Sequence, residues 1–143
     1  MVVARINADL ATFGSTKGDI LAAKPTGALL TLGPLSQAPS GADASDPSSV
    51  LGADISSLTN RPPSGLKIDV LRQAQSITVD GKAGKEVIFK VTRADGTILY
   101  LERAYLLGPG GLFKIDALVP ASDWDAGDGR KVEAVIQSVR LSG

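Results

Sequence analysis

The sequence predicts an α+β fold in which a central antiparallel β-sheet is built as a meander. Apolar and polar residues alternate with the two-residue period of a half-buried strand in three consecutive segments, 87–92, 97–107 and 112–119. The turn dipeptide Asp95-Gly96 and the glycine-rich tetrapeptide 108–111 connect them. Only antiparallel neighbours can be joined by connections this short, so the three segments should pair in chain order.

The end of the chain changes from the strand period to the helical period. Four valine and isoleucine residues recur at i, i+3, i+4 and i+7, and polar residues lie opposite them: Val132, Val135, Ile136 and Val139 against Glu133, Gln137 and Arg140. This pattern is typical of an amphipathic helix with one buried side. We therefore predict a C-terminal amphipathic helix that lies across the sheet.

Further strands are predicted before the meander. Residues 27–32 form an apolar run that Gly33-Pro34 should end. Two short alternating segments follow later, at 66–71 and 75–79. The second ends in the glycine-rich segment 80–84, which has the composition of a turn because glycine permits positive φ angles.

The chain is expected to hold one domain with two irregular segments. Residues 1–24 mix apolar residues with Gly14 and Gly18, which predicts an N-terminal arm or extension. The domain would then span 25–143. Within it, residues 36–65 are rich in serine, alanine, aspartate, glycine and proline, which indicates a long surface loop, with at most a short helical turn near 50–58.

Composition excludes several classes of function. Lys plus Arg and Asp plus Glu both total 15 among 143 residues, so no net charge attracts nucleic acid. The chain has no cysteine, which excludes disulfides and thiol catalysis, and no histidine, which removes the commonest general base and metal ligand. No apolar run is long enough to span a membrane. We therefore expect a protein that is not an enzyme, has no transmembrane segment of its own and does not bind nucleic acid.

Three motifs resemble ligand-binding loops but fail on spacing. The segment 123–129 has the aspartates of a calcium loop, yet Gly127, Asp128 and Ala134 stand where a third ligand, a glycine and a glutamate are needed. An acidic helix N-terminus with capping aspartates explains it better. Residues 81–85 lack the outer residues of a phosphate-binding loop, and 108–111 precede a strand, so both are predicted to be turns.

No residue earns a catalytic assignment from its motif. Glu102 and Asp116 could divide acid and base roles as a pair of acids, but alternating strand positions favour a solvated face for both. Arg103 and Lys114 are predicted to pair with them across strands. The aromatic residues should pack between sheet and helix: Tyr100, Tyr105, Phe113 and Trp124. The sequence thus predicts no catalytic residue and no metal-binding residue. No cofactor is expected, and the sequence identifies no cofactor-binding residues.

Residues 66–141 resemble the C-terminal half of PsbP-like domains in the order of their elements. The resemblance lies in the turn 80–84, the strand 87–92, Asp95-Gly96-Thr97 leading into a long strand, the strand start 111–115 and the segment 120–124 that opens a last helix. In that family the closing helix typically ends on a serine followed by an apolar residue, and Ser138-Val139 stands in that place.

The resemblance implies an α/β/α sandwich and a non-enzymatic accessory subunit of the thylakoid lumen. Such a subunit would bind, stabilise or help assemble a photosystem, with membrane-embedded photosystem subunits as partners. The best-known lumenal member is associated with ion sites that contain histidine, so no metal residue carries over to this histidine-free chain. The superfamily also includes a nuclear Ran-binding protein and bacterial extracytoplasmic lipoproteins. The alternative is therefore a lipoprotein or small-molecule-binding domain of the bacterial periplasm or cell surface.

Overall fold

A computed structural model of the chain describes residues 3–6, 20–23, 29–35, 38–108, 111–137 and 139–142. Its elements, in chain order, are β1 Val3–Ile6, β2 Ile20–Ala23, β3 Leu29–Pro34, α1 Pro47–Asn60, β4 Leu66–Val79, β5 Lys82–Arg93, β6 Ile98–Gly108, β7 Gly111–Pro120, α2 Ala121–Asp123, a π-helical turn Trp124–Asp128, α3 Gly129–Gln137 and β8 Val139–Ser142. The predicted α+β class is confirmed.

Strands β4 to β7 form the predicted antiparallel meander, and β3 and then β2 extend it beyond β7. The strand order is β2-β3-β7-β6-β5-β4. Strands β1 and β8 pair with each other in a separate two-stranded sheet. The alternating segments form long strands. Residues of β5 pair with β6, and residues of β6 pair with β7, along most of their lengths.

The predicted turns at the meander's hairpins are confirmed. Asp80 and Gly81 both have positive φ angles, 54° and 71°, as the two central residues of a tight hairpin turn require. At the next hairpin the amide of Gly96 donates to the carbonyl of Arg93, and Gly96 has a φ of 86°. At the third, Gly108 pairs with Gly111. These glycine-rich segments connect strands, as their spacing indicated.

Strand β4 is one irregular strand where two short strands were predicted. Its pairing with β5 shifts between Val70 and Arg72 and again between Arg72 and Gln75. A bulge inserts an unpaired residue and moves the following side chains to the other face of the sheet. Arg72 therefore lies on the face opposite to that of Ile68 and Val70, which simple alternation would not predict.

Helix α1 occupies residues 47–60 of the predicted 36–65 loop, so that prediction is wrong for these residues. Asp46 caps the helix by accepting a hydrogen bond from the Ser48 amide at 2.9 Å. Pro47 lies in the first turn, where a proline is tolerated because the amide it lacks would have no helical partner. Proline, which contributed to the prediction of a loop, here marks the start of a helix.

Helix α1 packs on one face of the sheet through Val50 and Leu51, both fully buried. They join a core supplied by alternate residues of the strands: Ile68, Val87, Phe89, Val91, Leu99, Tyr105 and Leu112. The intervening residues of the same strands point to the other face, where Ile88, Ala104, Leu106, Phe113 and Ile115 are buried.

The C-terminal end differs from the predicted helix. Helix α3 ends at Gln137, with Val132 and Ile136 buried, and β8 then pairs with β1. Val139, predicted to be the fourth residue of the helix's apolar side, belongs to β8 and pairs with Ile6. The predicted closing helix is therefore wrong at its end, and the α/β/α sandwich stays a prediction.

The predicted N-terminal arm contains two described strands, β1 and β2. Strand β2 pairs with β3, and β1 pairs with β8. The division of the chain into an arm over 1–24 and a domain over 25–143 stays a prediction. Among the described residues no helix is both long and apolar enough to cross a membrane.

Candidate functional site

Arg72 is the centre of a cluster of charged side chains on the sheet face opposite to α1. Its Nη2 lies 2.9 Å from Oε1 of Glu86 and 3.2 Å from Oε1 of Glu102. Its Nη1 lies 3.4 Å from Oε1 of Glu133. One guanidinium thus joins three strands and α3, and we call these four residues the Arg72 cluster.

Register explains why these residues meet. Glu86 lies opposite Ala104, the next residue on the same face as Glu102, so the two glutamates are diagonal neighbours on β5 and β6. The bulges in β4 bring Arg72 to that same face. Gln75, after the second irregularity, donates from its Nε2 to Oε1 of Glu86 at 2.9 Å.

Glu102 is the most unusual residue of the cluster because its side chain is fully buried, with 0% exposed. Burial, followed by the negative charge of Glu86, raises the pKa of Glu102 to about 8, and the positive charge of Arg72 opposes this rise only in part. Burial therefore favours the protonated form of Glu102.

Two buried atoms of the cluster have no hydrogen-bond partner among the described residues, Nε of Arg72 and Oε2 of Glu102. Buried polar atoms are usually paired. The guanidinium and the carboxyl group therefore each retain capacity for a further contact.

A cleft of about 500 Å³ lies beside the Arg72 cluster and is open to solvent. Arg72 and Ile88 line it from the sheet. Trp124 lines it from the π-helical turn, and Arg130 and Glu133 line it from α3. The turn that forms this wall is kinked at Gly127, whose φ is 129°. The cleft combines an aromatic ring, two cations and carboxylates, a mixture that suits a small polar molecule.

The wall of the cleft is held by two contacts of Trp124. The rings of Tyr100 and Trp124 meet edge to face with centroids 5.7 Å apart. Gly129 also lies so close to Trp124 that a Cβ there would be 2.7 Å from the indole ring. A larger residue at 129 would displace the tryptophan.

A second charged cluster lies on the α1 face, centred on Arg103. Its Nε and Nη2 donate to both carboxylate oxygens of Asp116, at 2.7 and 3.0 Å. Its Nη1 lies 3.3 Å from Oδ2 of Asp54 in α1, and the Tyr105 hydroxyl donates to the same oxygen. Burial opposes the charged form of Arg103, but the hydrogen bond and charge of Asp116 outweigh it and raise the pKa of Arg103.

The two acids considered from the sequence do not form one site. Arg103 pairs in register with Asp116, whereas Glu102 pairs with Ala117, so Glu102 and Asp116 point to opposite faces. The predicted solvated position is wrong for Glu102. The predicted pairing of Arg103 with Asp116 is confirmed. Lys114 lies 4.0 Å from Asp116, at the limit of an ion pair.

Sequence reasoning missed Arg72, Glu86 and Asp54. A signal was present for Glu102, because its neighbours on the same face, Ala104 and Leu106, are apolar and buried. A charged residue in such a row is expected to be buried and paired. No signal marked Arg72, because its face depends on the bulges of β4.

The aspartates near 123 lie differently from the prediction. Asp123 is in the first turn of α2, but the N-cap residue is Pro120 and no side chain caps the helix. Within the described part of the chain, no group of three or more acidic residues is arranged to hold a metal ion.

Comparisons with known proteins show a relationship in structure alone. No protein-family profile and no curated protein matches the sequence. The solution structure of cyanobacterial PsbP (CyanoP) from Synechocystis sp. PCC 6803 matches with a TM-score of 0.59 over 99% of this chain and 82% of that one, at 11% identity. The fold is PsbP-like. This chain therefore has a PsbP-like fold, although its sequence matches no protein-family profile.

The PsbP-like fold also matches PA94 from Pseudomonas aeruginosa, a protein of unknown function for which a regulatory role has been suggested. That match has a TM-score of 0.55 and covers 96% of this chain and 81% of the other, at 14% identity. Similarity at these identities shows the fold, and function depends on the site that each protein builds on it.

Proposed function

We propose that this chain is a non-enzymatic accessory protein of the PsbP-like family that binds a membrane complex, stabilises it or helps assemble it. A photosystem on the lumenal side of the thylakoid membrane is the first candidate. The observation that carries the proposal is the correspondence with cyanobacterial PsbP over 99% of the chain. The α/β/α layering expected for PsbP-like domains belongs to the same proposal.

The charged clusters favour a structural rather than a catalytic role. Arg103 is engaged by both oxygens of Asp116 and by Asp54, so the cluster ties α1 to β6 and β7. A catalytic acid or nucleophile needs access to substrate, whereas Glu102 is fully buried. These groups hold elements of the fold together.

Apolar side chains on the surface are candidates for the contact with a partner. Leu71, at the bulge of β4, is 47% exposed, and Leu107, near the end of β6, is 40% exposed. Helix α1, in contrast, uses its apolar residues Val50 and Leu51 to pack on the sheet. Exposed apolar residues at an interface contribute through burial of their surface.

The test is to tag the chain in the organism that encodes it and extract membranes in a mild detergent. Native separation followed by mass spectrometry then shows where the chain migrates. Migration with chlorophyll-binding subunits, weakened by Leu107→Asp but not by Asp69→Asn at an exposed surface pair, supports the proposal. Migration at the mass of the free chain contradicts it.

The cleft favours a second candidate, an extracytoplasmic small-molecule-binding domain. Its volume of about 500 Å³ lies within the range of ligand pockets. Native mass spectrometry of the chain purified from its source would show a bound molecule as a discrete added mass. Loss of that mass in Trp124→Leu, with retention in Tyr100→Phe, would locate the molecule in the cleft.

A further inference from the structure

Glu86 and Glu102 form a pair of neighbouring carboxyl groups that can share a proton. Their side chains are close enough to share a hydrogen bond, and both accept from Nη2 of Arg72. A carboxyl oxygen can donate a hydrogen bond only when it carries a proton. The fully buried Glu102 is the member that gains most from being neutral.

The proton decides the charge balance around Arg72. With the proton in place, the guanidinium faces two carboxylates, Glu86 and Glu133. Without it, three carboxylates face one cation. The weakest of the three contacts is that to Glu133, at 3.4 Å, because the Glu133 side chain is 52% exposed and can turn to solvent.

The surroundings offer no further described cation in contact with Glu102. Strand β4 contributes Arg72 and Gln75, and β5 contributes Glu86, with Lys90 further along the same face. Strand β7 contributes the apolar residues Ile115 and Ala117. On the helix side Glu133 faces the cluster, and Arg130 lies at the cleft.

The cluster also has the means to rearrange. Nε of Arg72 and Oε2 of Glu102 are buried without partners among the described residues. An ionised Glu102 can use its second oxygen to accept from the guanidinium, and a bidentate pair of this kind is stronger than a single contact. Arg72 would then turn towards Glu102 and away from Glu133.

We propose that the Glu86–Glu102 pair is a proton-binding switch that controls the attachment of α3 and the Trp124 turn to the sheet. When the pair is protonated, Arg72 stays bound to Glu133, and the cleft between the sheet and α3 has the width seen in this structure. When the proton is lost, the Arg72–Glu133 contact is released, and the wall of the cleft that contains Trp124 moves away from Ile88. The switch thus couples pH to access to the cleft.

The composition of the chain makes the switch easy to isolate. Burial raises the pKa of Glu102 to about 8. The chain has no histidine and no cysteine, so no side chain with an ordinary pKa titrates between about 6 and 8. The terminal amino group also titrates there, and comparison with Glu102→Gln separates its titration from that of Glu102.

Tryptophan fluorescence tests the proposal directly, because Trp124 is the chain's single tryptophan and lines the cleft. The wild-type chain, titrated from pH 5.5 to 9, should show one red shift of emission with a midpoint near 8. Glu102→Gln, which stays neutral, should keep the low-pH emission throughout. Asp69→Asn, at an exposed pair with Lys67, should keep the wild-type transition.

An emission maximum that is constant in the wild type, or a transition retained in Glu102→Gln, would overturn the proposal. If Glu102→Gln does not fold, the carbon-13 carboxyl resonances of the wild-type glutamates decide. A glutamate that titrates near pH 8 together with the Trp124 indole resonance supports the switch. Titration of every glutamate below pH 6 overturns it.

Discussion

The Tyr105 hydroxyl of β6 donates a hydrogen bond to Oδ2 of Asp54 in α1. Tyr105 is only 2% exposed, so the bond is made at the buried interface between helix and sheet. The same oxygen also accepts a hydrogen bond from Nη1 of Arg103. This pair of contacts is the polar attachment of a helix that otherwise packs through apolar side chains, and it fixes the helix's position along β6.

Tyr105→Phe should lower the free energy of unfolding by about 1–2 kcal/mol, because Asp54 loses one donor and keeps Arg103. Chemical denaturation at pH 7 measures the change. Tyr100→Phe is the matched control, since the Tyr100 hydroxyl has no hydrogen bond within the described part of the chain, and its effect should stay within about 0.5 kcal/mol. Equal losses in the two variants would contradict the role given to the Tyr105–Asp54 bond.

The free energy of unfolding should fall as pH rises from about 4.5 to about 8. Glu102 has its pKa raised from 4.5 to about 8 in the folded chain, so within this window the folded state binds a proton that the unfolded state has released. Stability falls with pH wherever the folded state binds more protons, here by about 1 kcal/mol per pH unit. Urea unfolding at a series of pH values measures this slope.

Glu102→Gln is the variant that isolates this slope. Its neutral side chain should make stability nearly independent of pH between 6 and 8, so that the variant exceeds the wild type above pH 8. Asp43 and Asp95, whose pKa values are lowered by hydrogen bonds from Ser45 and Thr97, act only in the acid range. A wild-type slope that survives in Glu102→Gln would show that another group is responsible.

Asp46→Ala should destabilise the chain by about 1 kcal/mol, because the Ser48 amide loses its side-chain partner at the start of α1. Asp46→Asn retains an oxygen acceptor and should recover most of the loss. Thermal unfolding followed by circular dichroism compares the three chains. If the alanine and asparagine variants unfold together, the cap does not contribute as the geometry indicates.

The meander could be predicted because local signals and tertiary structure agree there. In β5 the core residues Val87, Phe89 and Val91 are alternate residues of the sequence. The turns at residues 81 and 96 need positive φ angles, and the glycine at each position indicates this in the sequence. Period and turn chemistry are both properties of a few adjacent residues, so the sequence displays them directly.

The structural features that the sequence did not predict depend on contacts between residues far apart in the chain. Helix α1 is short of strong helix formers, and its apolar residues Val50 and Leu51 gain their stability from the sheet. The Arg72 cluster joins residues up to 61 positions apart and needs the bulges of β4 to form. Neither the bulge nor the buried partner of Glu102 can be derived from local alternation.

Gly84→Ala should be the most damaging of the small substitutions. A Cβ at residue 84 would lie 2.4 Å from the Tyr105 carbonyl oxygen and 2.7 Å from Cδ2 of Leu106, so β5 and β6 would have to separate at a buried position. Overpacking of this kind costs about 1–3 kcal/mol. Gly52→Ala is the matched control, because residue 52 is an exposed position of α1 with nothing within 4 Å of an added Cβ, and the higher helix propensity of alanine should stabilise the chain by about 1 kcal/mol. Denaturant unfolding of the two variants should therefore give changes of opposite sign, and a Gly84→Ala chain as stable as the wild type would mean that β5 and β6 approach less closely at this point.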